Sequence, residues 1–166
     1  MRTLNRKSEN ENQPKSDPML TRAKFDELQS KLATLKHKRP HLAAEVARLA
    51  ELGDFSENVE YQLAKGRLRG LNNAMLKLEN QLRQAEIIPP VKNTGRVQLG
   101  SIVTVSNGKT DRTYQLLGSA ETDPGRGIIS HNSPIGAALL GRKIGDTVKI
   151  ILAKKDIEYI ITNIGY

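Results

Sequence analysis

Four carboxylates crowd one short stretch of this chain. Glu51, Asp54, Glu57 and Glu60 fall between Leu49 and Ala64, sixteen positions without a Lys or Arg, in a protein whose formal net charge is +8. The centre of the stretch reads GDFSENVEY, residues 53–61. Acids with no counter-charge beside them repel one another, so their grouping asks for a reason. One reason is local. Asp54, Ser56 and Glu57 suit the start of a helix, where they cap free N–H groups and complement the macrodipole. That accounts for one or two of the acids and leaves the exclusion of basic residues unexplained. The other reason is a divalent cation. Mg²⁺ prefers oxygen ligands and often takes only one or two protein carboxylates beside water and phosphate. Two acids on an exposed turn do not close such a site; they supply half of one, to be completed inside another macromolecule.

The flanking sequence says what holds this turn. Phe25, Leu28, Leu32, Leu35, Leu42, Val46 and Leu49 follow alternating steps of three and four, with Arg39 in the one vacant place. Tyr61, Ala64, Leu68, Leu71, Met75, Leu78, Leu82 and Ala85 repeat the rule without a gap. Two heptad seams joined by a short turn bury each other by running antiparallel, as a coiled-coil hairpin. Each arm of about 30 residues is roughly 45 Å long at 1.5 Å per residue. Pro40 predicts a kink in the first helix. Gly66 and Gly70 weaken the second, and Pro89–Pro90 end it.

Beyond the prolines the pattern turns to strands at 101–106, 112–118, 146–153 and 157–164, with a turn at Asn107–Gly108. Residues 133–141, SPIGAALLG, form a short helix with Ser133 as N-cap, Pro134 in the first turn and Gly141 closing it. The fold class is therefore α+β. Residues 1–18 are a polar, disordered tail, 19–88 the coiled-coil hairpin with its acidic tip, 89–96 a linker, and 97–166 a small curved-sheet domain.

The whole chain bounds the chemistry further. Its 166 residues contain no Cys, which excludes disulfides and thiolate metal sites, and only two Phe, four Tyr and no Trp. No apolar run approaches the roughly 20 residues that cross a bilayer, and the N-terminus lacks the apolar segment of a secretory signal. The lack of such segments and of Cys fits a soluble, cytoplasmic protein, and the net charge suggests an acidic partner such as nucleic acid, although many basic proteins bind nothing acidic. His37 and His41 have a helix-face metal spacing but no third ligand. The glycines of DPGRGIIS lack the strand-to-helix order of a nucleotide loop, and His131 stands alone in its domain.

The stretch LATLKHKRPHLAAEVARLAELGDFSENVEYQLAK resembles the N-terminal hairpin of the Gre family of bacterial transcript cleavage factors, and its run G-D-x-x-E-N-x-E-Y is the specific part. GSIVTVSNG, ISHNSPIGAALLGRKIGD and YIITNIGY resemble the same family's C-terminal, FKBP-like domain. The likeness covers roughly residues 19–166 and is nearer to the GreA branch than to GreB. It implies a monomeric factor that docks on bacterial RNA polymerase by its C-terminal domain and inserts the hairpin into the secondary channel. There Asp54 and Glu57 would hold a Mg²⁺ shared with the polymerase active site, and the polymerase would cleave its own backtracked RNA. No tightly bound cofactor and no catalysis by the isolated chain are implied. Asn58, Glu60 and Tyr61 would support the tip. Lys65, Arg67 and Arg69 are candidates to face the nascent RNA 3′ end, or simply a solvated face; Ser133, Pro134 and Ile135 are candidates for docking, or cap and core. A Gre-like channel binder that modulates polymerase without cleavage is the alternative, separated only by the tip. A prolyl isomerase is the other; Tyr114, Tyr159 and Tyr166 are few aromatics for its pocket.

Overall fold

The computed structural model describes residues 17–51, 58–152 and 155–166. Helix α1 spans Arg22–Glu51 and helix α2 spans Val59–Gln84. Cross-links from Lys36 to Glu79, Arg39 to Asn72 and Glu45 to Arg67 run in opposite sequence directions, so the helices are antiparallel. The seams meet as their periodicity requires. Leu28, Leu32, Leu49, Ala64 and Leu78 are buried, and the remaining seam residues are half-buried, apart from Arg39. The exposed Arg39 donates from Nε to Asn72 Oδ1 at 3.0 Å, which gives the one polar place of the first seam a partner on the other helix. Helix α1 continues unbroken through Pro40, an exposed position where water can satisfy the carbonyl that loses its donor.

At the base of the hairpin two short strands, β1 (Met19–Leu20) and β2 (Glu86–Ile87), pair in parallel. Glu86 N donates to the Pro18 carbonyl and Ile88 N to that of Leu20, both at 2.8 Å. This pairing corrects two expectations. The second helix stops at Gln84, ahead of the prolines, because the chain straightens to bond with β1. Asp17 and Pro18, assigned to the polar tail, belong to the folded part for the same reason. Leu20 is fully buried and packs with Leu28, Leu32 and Leu78.

The C-terminal half is a five-stranded sheet in the order β5-β4-β3-β7-β6, built from β3 (Ile102–Ser106), β4 (Asp111–Leu117), β5 (Ile128–Ser130), β6 (Thr147–Leu152) and β7 (Lys155–Gly165). Strands β3 and β4 form a hairpin whose turn is closed by the Asn107 side chain, accepting from Lys109 N and Thr110 N, with Gly108 at φ 81°. Only β4–β5 is parallel. The register between β3 and β7 slips at Thr104/Val105, a bulge that bends the long β7 and curves the sheet. Helix α3 (Pro134–Leu139) lays Leu139 into the core formed with Val103, Val105, Leu116, Ile150 and Ile161, each 0–1% exposed. Gly141, just past the helix, takes the left-handed φ of 78° that glycine favours there. Strand β5, three residues long, follows the loop glycines of its segment and is too short to carry a period of its own.

Candidate functional site

The far end of the hairpin carries the acidic cluster. Asp54 and Glu57 lie outside the described residues, and Glu51, Asn58 and Glu60 frame them. Glu51 ends α1 and is exposed; Glu60 sits exposed in the first turn of α2. Asn58 is the N-cap of α2, with φ −81° and ψ 90°, and its Oδ1 accepts from Tyr61 N at 3.0 Å. Its Nδ2 reaches back to the Leu49 carbonyl of α1 at 3.5 Å, a long contact. One side chain thus caps the second helix and leans on the end of the first. The N-cap place that the sequence allowed to Asp54, Ser56 and Glu57 is held by Asn58.

Tyr61 is half-buried in the seam, and Lys65 Nζ stands 5.7 Å from its ring centroid, within cation–π reach. Lys65 and Arg69, four apart, share a helix face. Arg67 lies on another side, 3.9 Å from Glu45 of α1. The three basic candidates therefore do not form one patch. Glu45, Arg48, Leu49, Glu60, Leu63 and Arg67 line an open groove of about 360 Å³ beside the tip. Both polar signs alternate along it, which suits a contact surface better than an enclosed small-molecule site.

Elsewhere the picture is more structural. His37 and His41 have ring centroids 5.9 Å apart on an exposed face. Among the described residues no three His, Asp or Glu side chains gather as a metal cage, and no helix is long and apolar enough to cross a membrane. Of the docking candidates, Ser133 accepts from Gly136 N at 3.0 Å and donates to the Ser130 carbonyl at 2.6 Å, while Ile135 packs against the sheet core. Only Pro134 faces outward. Tyr159 is buried in the same core, Tyr114 packs against it and Tyr166 is exposed.

Comparison with known proteins matches both halves. Residues 18–87 match the family described as transcription elongation factor, N-terminal, and residues 92–166 that described as transcription elongation factor, GreA/GreB, C-term. Transcription elongation factor GreA of Paracoccus denitrificans is 34% identical over 150 residues, covering 89% of this chain and 96% of that protein. The factor of the same name from Sphingopyxis alaskensis is 36% identical over 152 residues, covering 90% and 95%. The solved structure of GreA factor homolog 1 of Thermus thermophilus aligns over 90% of this chain and 99% of its own at 24% identity, with a TM-score of 0.42. With both of its halves matched and relatives this similar along most of its length, the chain belongs to the GreA/GreB family of transcription elongation factors.

Proposed function

We propose that this elongation factor binds bacterial RNA polymerase through its sheet domain, places the hairpin tip in the secondary channel, and stimulates the polymerase to cleave backtracked RNA. Catalysis belongs to the polymerase; this chain supplies ligands. The observation that carries the reading is the identity of the cap. Because Asn58 is the N-cap of α2, Asp54 and Glu57 are not needed in that place, and the exclusion of basic residues around them supports a cation.

The donor set fits Mg²⁺. Asp54 and Glu57 offer hard oxygen ligands, two of the several that such an ion takes, and the rest would come from polymerase, water and RNA. A Mg²⁺ held there would lower the pKa of a bound water and neutralise charge on the phosphoryl oxygens. The roles of the chain's own residues follow. Asp54 and Glu57 would bring the negative charge that offsets the repulsion between two cations in the polymerase active site. Asn58 sets the geometry of the turn, Glu60 adds to the local field, and Tyr61 anchors the turn in the seam. In the cleavage itself, water oxygen attacks phosphorus, the bond to the leaving 3′ oxygen breaks, and that oxygen takes the proton. Lys65 and Arg69 share a helix face and would meet the extruded RNA backbone.

The test is addition of the full chain to a stalled elongation complex carrying end-labelled RNA, with Mg²⁺ present. Shortened RNA that the polymerase can re-extend is the expected product, and the chain without polymerase should cleave nothing. Unchanged RNA in the presence of saturating, polymerase-bound factor would instead favour the reading of a channel binder that modulates without cleavage.

A further inference from the structure

Segments far apart in sequence exchange carboxylates where the hairpin meets the sheet domain. Asp17, whose side chain is 5% exposed, reaches from the N-terminal segment to the 3₁₀ turn Ser119–Glu121. Its Oδ2 accepts from Ser119 N at 2.8 Å and Ser119 Oγ at 3.0 Å, and lies 3.5 Å from His131 Nδ1. Glu121 of the same turn reaches the other way. Its two oxygens accept from Thr21 N at 2.6 Å and Thr21 Oγ1 at 2.7 Å. Thr21 immediately precedes α1, and its Oγ1 also accepts from Lys24 N at 3.1 Å, so Glu121 grips the residue that caps the first arm. Ionised acceptors make these bonds stronger than neutral ones, and a carboxylate at a helix N-terminus is further favoured by the macrodipole.

Gly118 shows how closely the two parts approach. Its φ of −70° and ψ of 159° are open to any residue. A Cβ there would nevertheless overlap the carbonyl of Met19 in β1. Glycine is required at this place by the neighbouring strand and not by its own backbone.

We infer that Asp17, Glu121 and Gly118 form a positioning clasp that fixes the direction in which the hairpin leaves the sheet domain. Its consequence rests on the proposed function: with the sheet domain docked, the tip acts at the end of a lever. A swing of about 10° on an arm of roughly 40 Å moves the tip by about 7 Å. Misplacement by only about 1 Å can cost a reaction on the order of 10²-fold.

The experiment uses the absence of native Cys. Leu63→Cys near the tip and Ile160→Cys on the sheet, both exposed, carry spin labels whose separation is measured by pulsed EPR in the free, full-length protein. A narrow distance distribution is expected, broadened or shifted by Gly118→Ala and by Asp17→Ala combined with Glu121→Ala, with each domain still folded by circular dichroism. In the stalled-complex assay the same variants should bind polymerase within about twofold of normal yet cleave tenfold or more slowly. Glu121→Gln, which keeps one acceptor oxygen for Thr21, should recover most of the rate. Distances unchanged by the clasp variants would overturn the inference, and so would broadened distances with cleavage at the normal rate. Failure of the unaltered protein to stimulate cleavage would count against the proposed function alone, because the distances judge the clasp without polymerase.

Discussion

The sheet domain and the hairpin solve burial differently. In the sheet domain eleven buried side chains among the described residues join in one core, with Val103, Val105, Leu116, Leu139 and Ile161 at 0% exposure. In the hairpin the equivalent cluster has four members, Leu20, Leu28, Leu32 and Leu78, all at the base. Two helices alone leave the flanks of their seam open, so Leu42, Val46, Leu68 and Leu71 are only half-buried. The base is sealed because a third element, β1, lays Leu20 across it. The middle carries the polar pair Arg39–Asn72. Among the described residues the hairpin's shared cluster lies where the rod is held, while Leu49 and Ala64, at 3% and 1% exposure, close the seam again nearer the tip. A two-helix rod has no room for a thick core, and its stiffness comes from helix continuity and from its anchorage.

This contrast can be broken at either end. Ile161→Ala in the sheet core should destabilise that domain by about 2–5 kcal/mol, and Leu68→Ala in the half-buried seam by roughly half as much or less, both read from urea unfolding. Equal losses would mean that the hairpin is sealed as tightly as the sheet. The next effect runs the other way. Gly66 and Gly70 lie in α2 where an added Cβ would meet nothing within 4 Å, so Gly66→Ala and Gly70→Ala should each stabilise the hairpin by about 1 kcal/mol. No gain in helical thermal stability would show that these glycines serve a backbone approach absent from the free protein.

The smallest effect belongs to the junction. Burial raises the Asp17 carboxyl pKa, but hydrogen bonds from Ser119 and Met19, with the charge of His131, outweigh it and leave the pKa below its ordinary 3.8. A depressed carboxyl contributes stability above that ordinary value and loses it as pH falls through the lower, folded-state value. Asp17→Asn should therefore lower thermal stability at neutral pH, with the difference from the unaltered protein shrinking below about pH 4. A difference that persists undiminished at lower pH would contradict the assignment.

The long elements were legible because they are periodic. Two seams of three-four steps, the first broken only at Arg39, specified the antiparallel helices, and Ser133–Pro134 marked α3 by cap chemistry alone. The two-residue strands β1 and β2 and the three-residue β5 were not, since so few residues carry no period and their partners are distant in sequence. Asp17 looked like one more polar residue of a tail; its meaning depends on Ser119, a hundred positions away. At the tip, the motif drew attention to Asp54 and Glu57, while the structure shows that Asn58 is the cap. Local sequence offered several acceptable caps within a few residues, and only the start of the helix could choose among them.

As proposed ligands in trans, Asp54 and Glu57 can be neutralised without disturbing the helix they precede. Asp54→Asn combined with Glu57→Gln keeps size and removes both negative charges, and an N-cap at Asn58 leaves helix α2 intact. In the stalled elongation complex, the double variant should bind polymerase normally while RNA cleavage falls on the order of 10²-fold or more, equivalent to a few kcal/mol of transition-state stabilisation. Either single variant should be partly rescued by raising Mg²⁺. Full cleavage stimulation by the double variant would contradict the account.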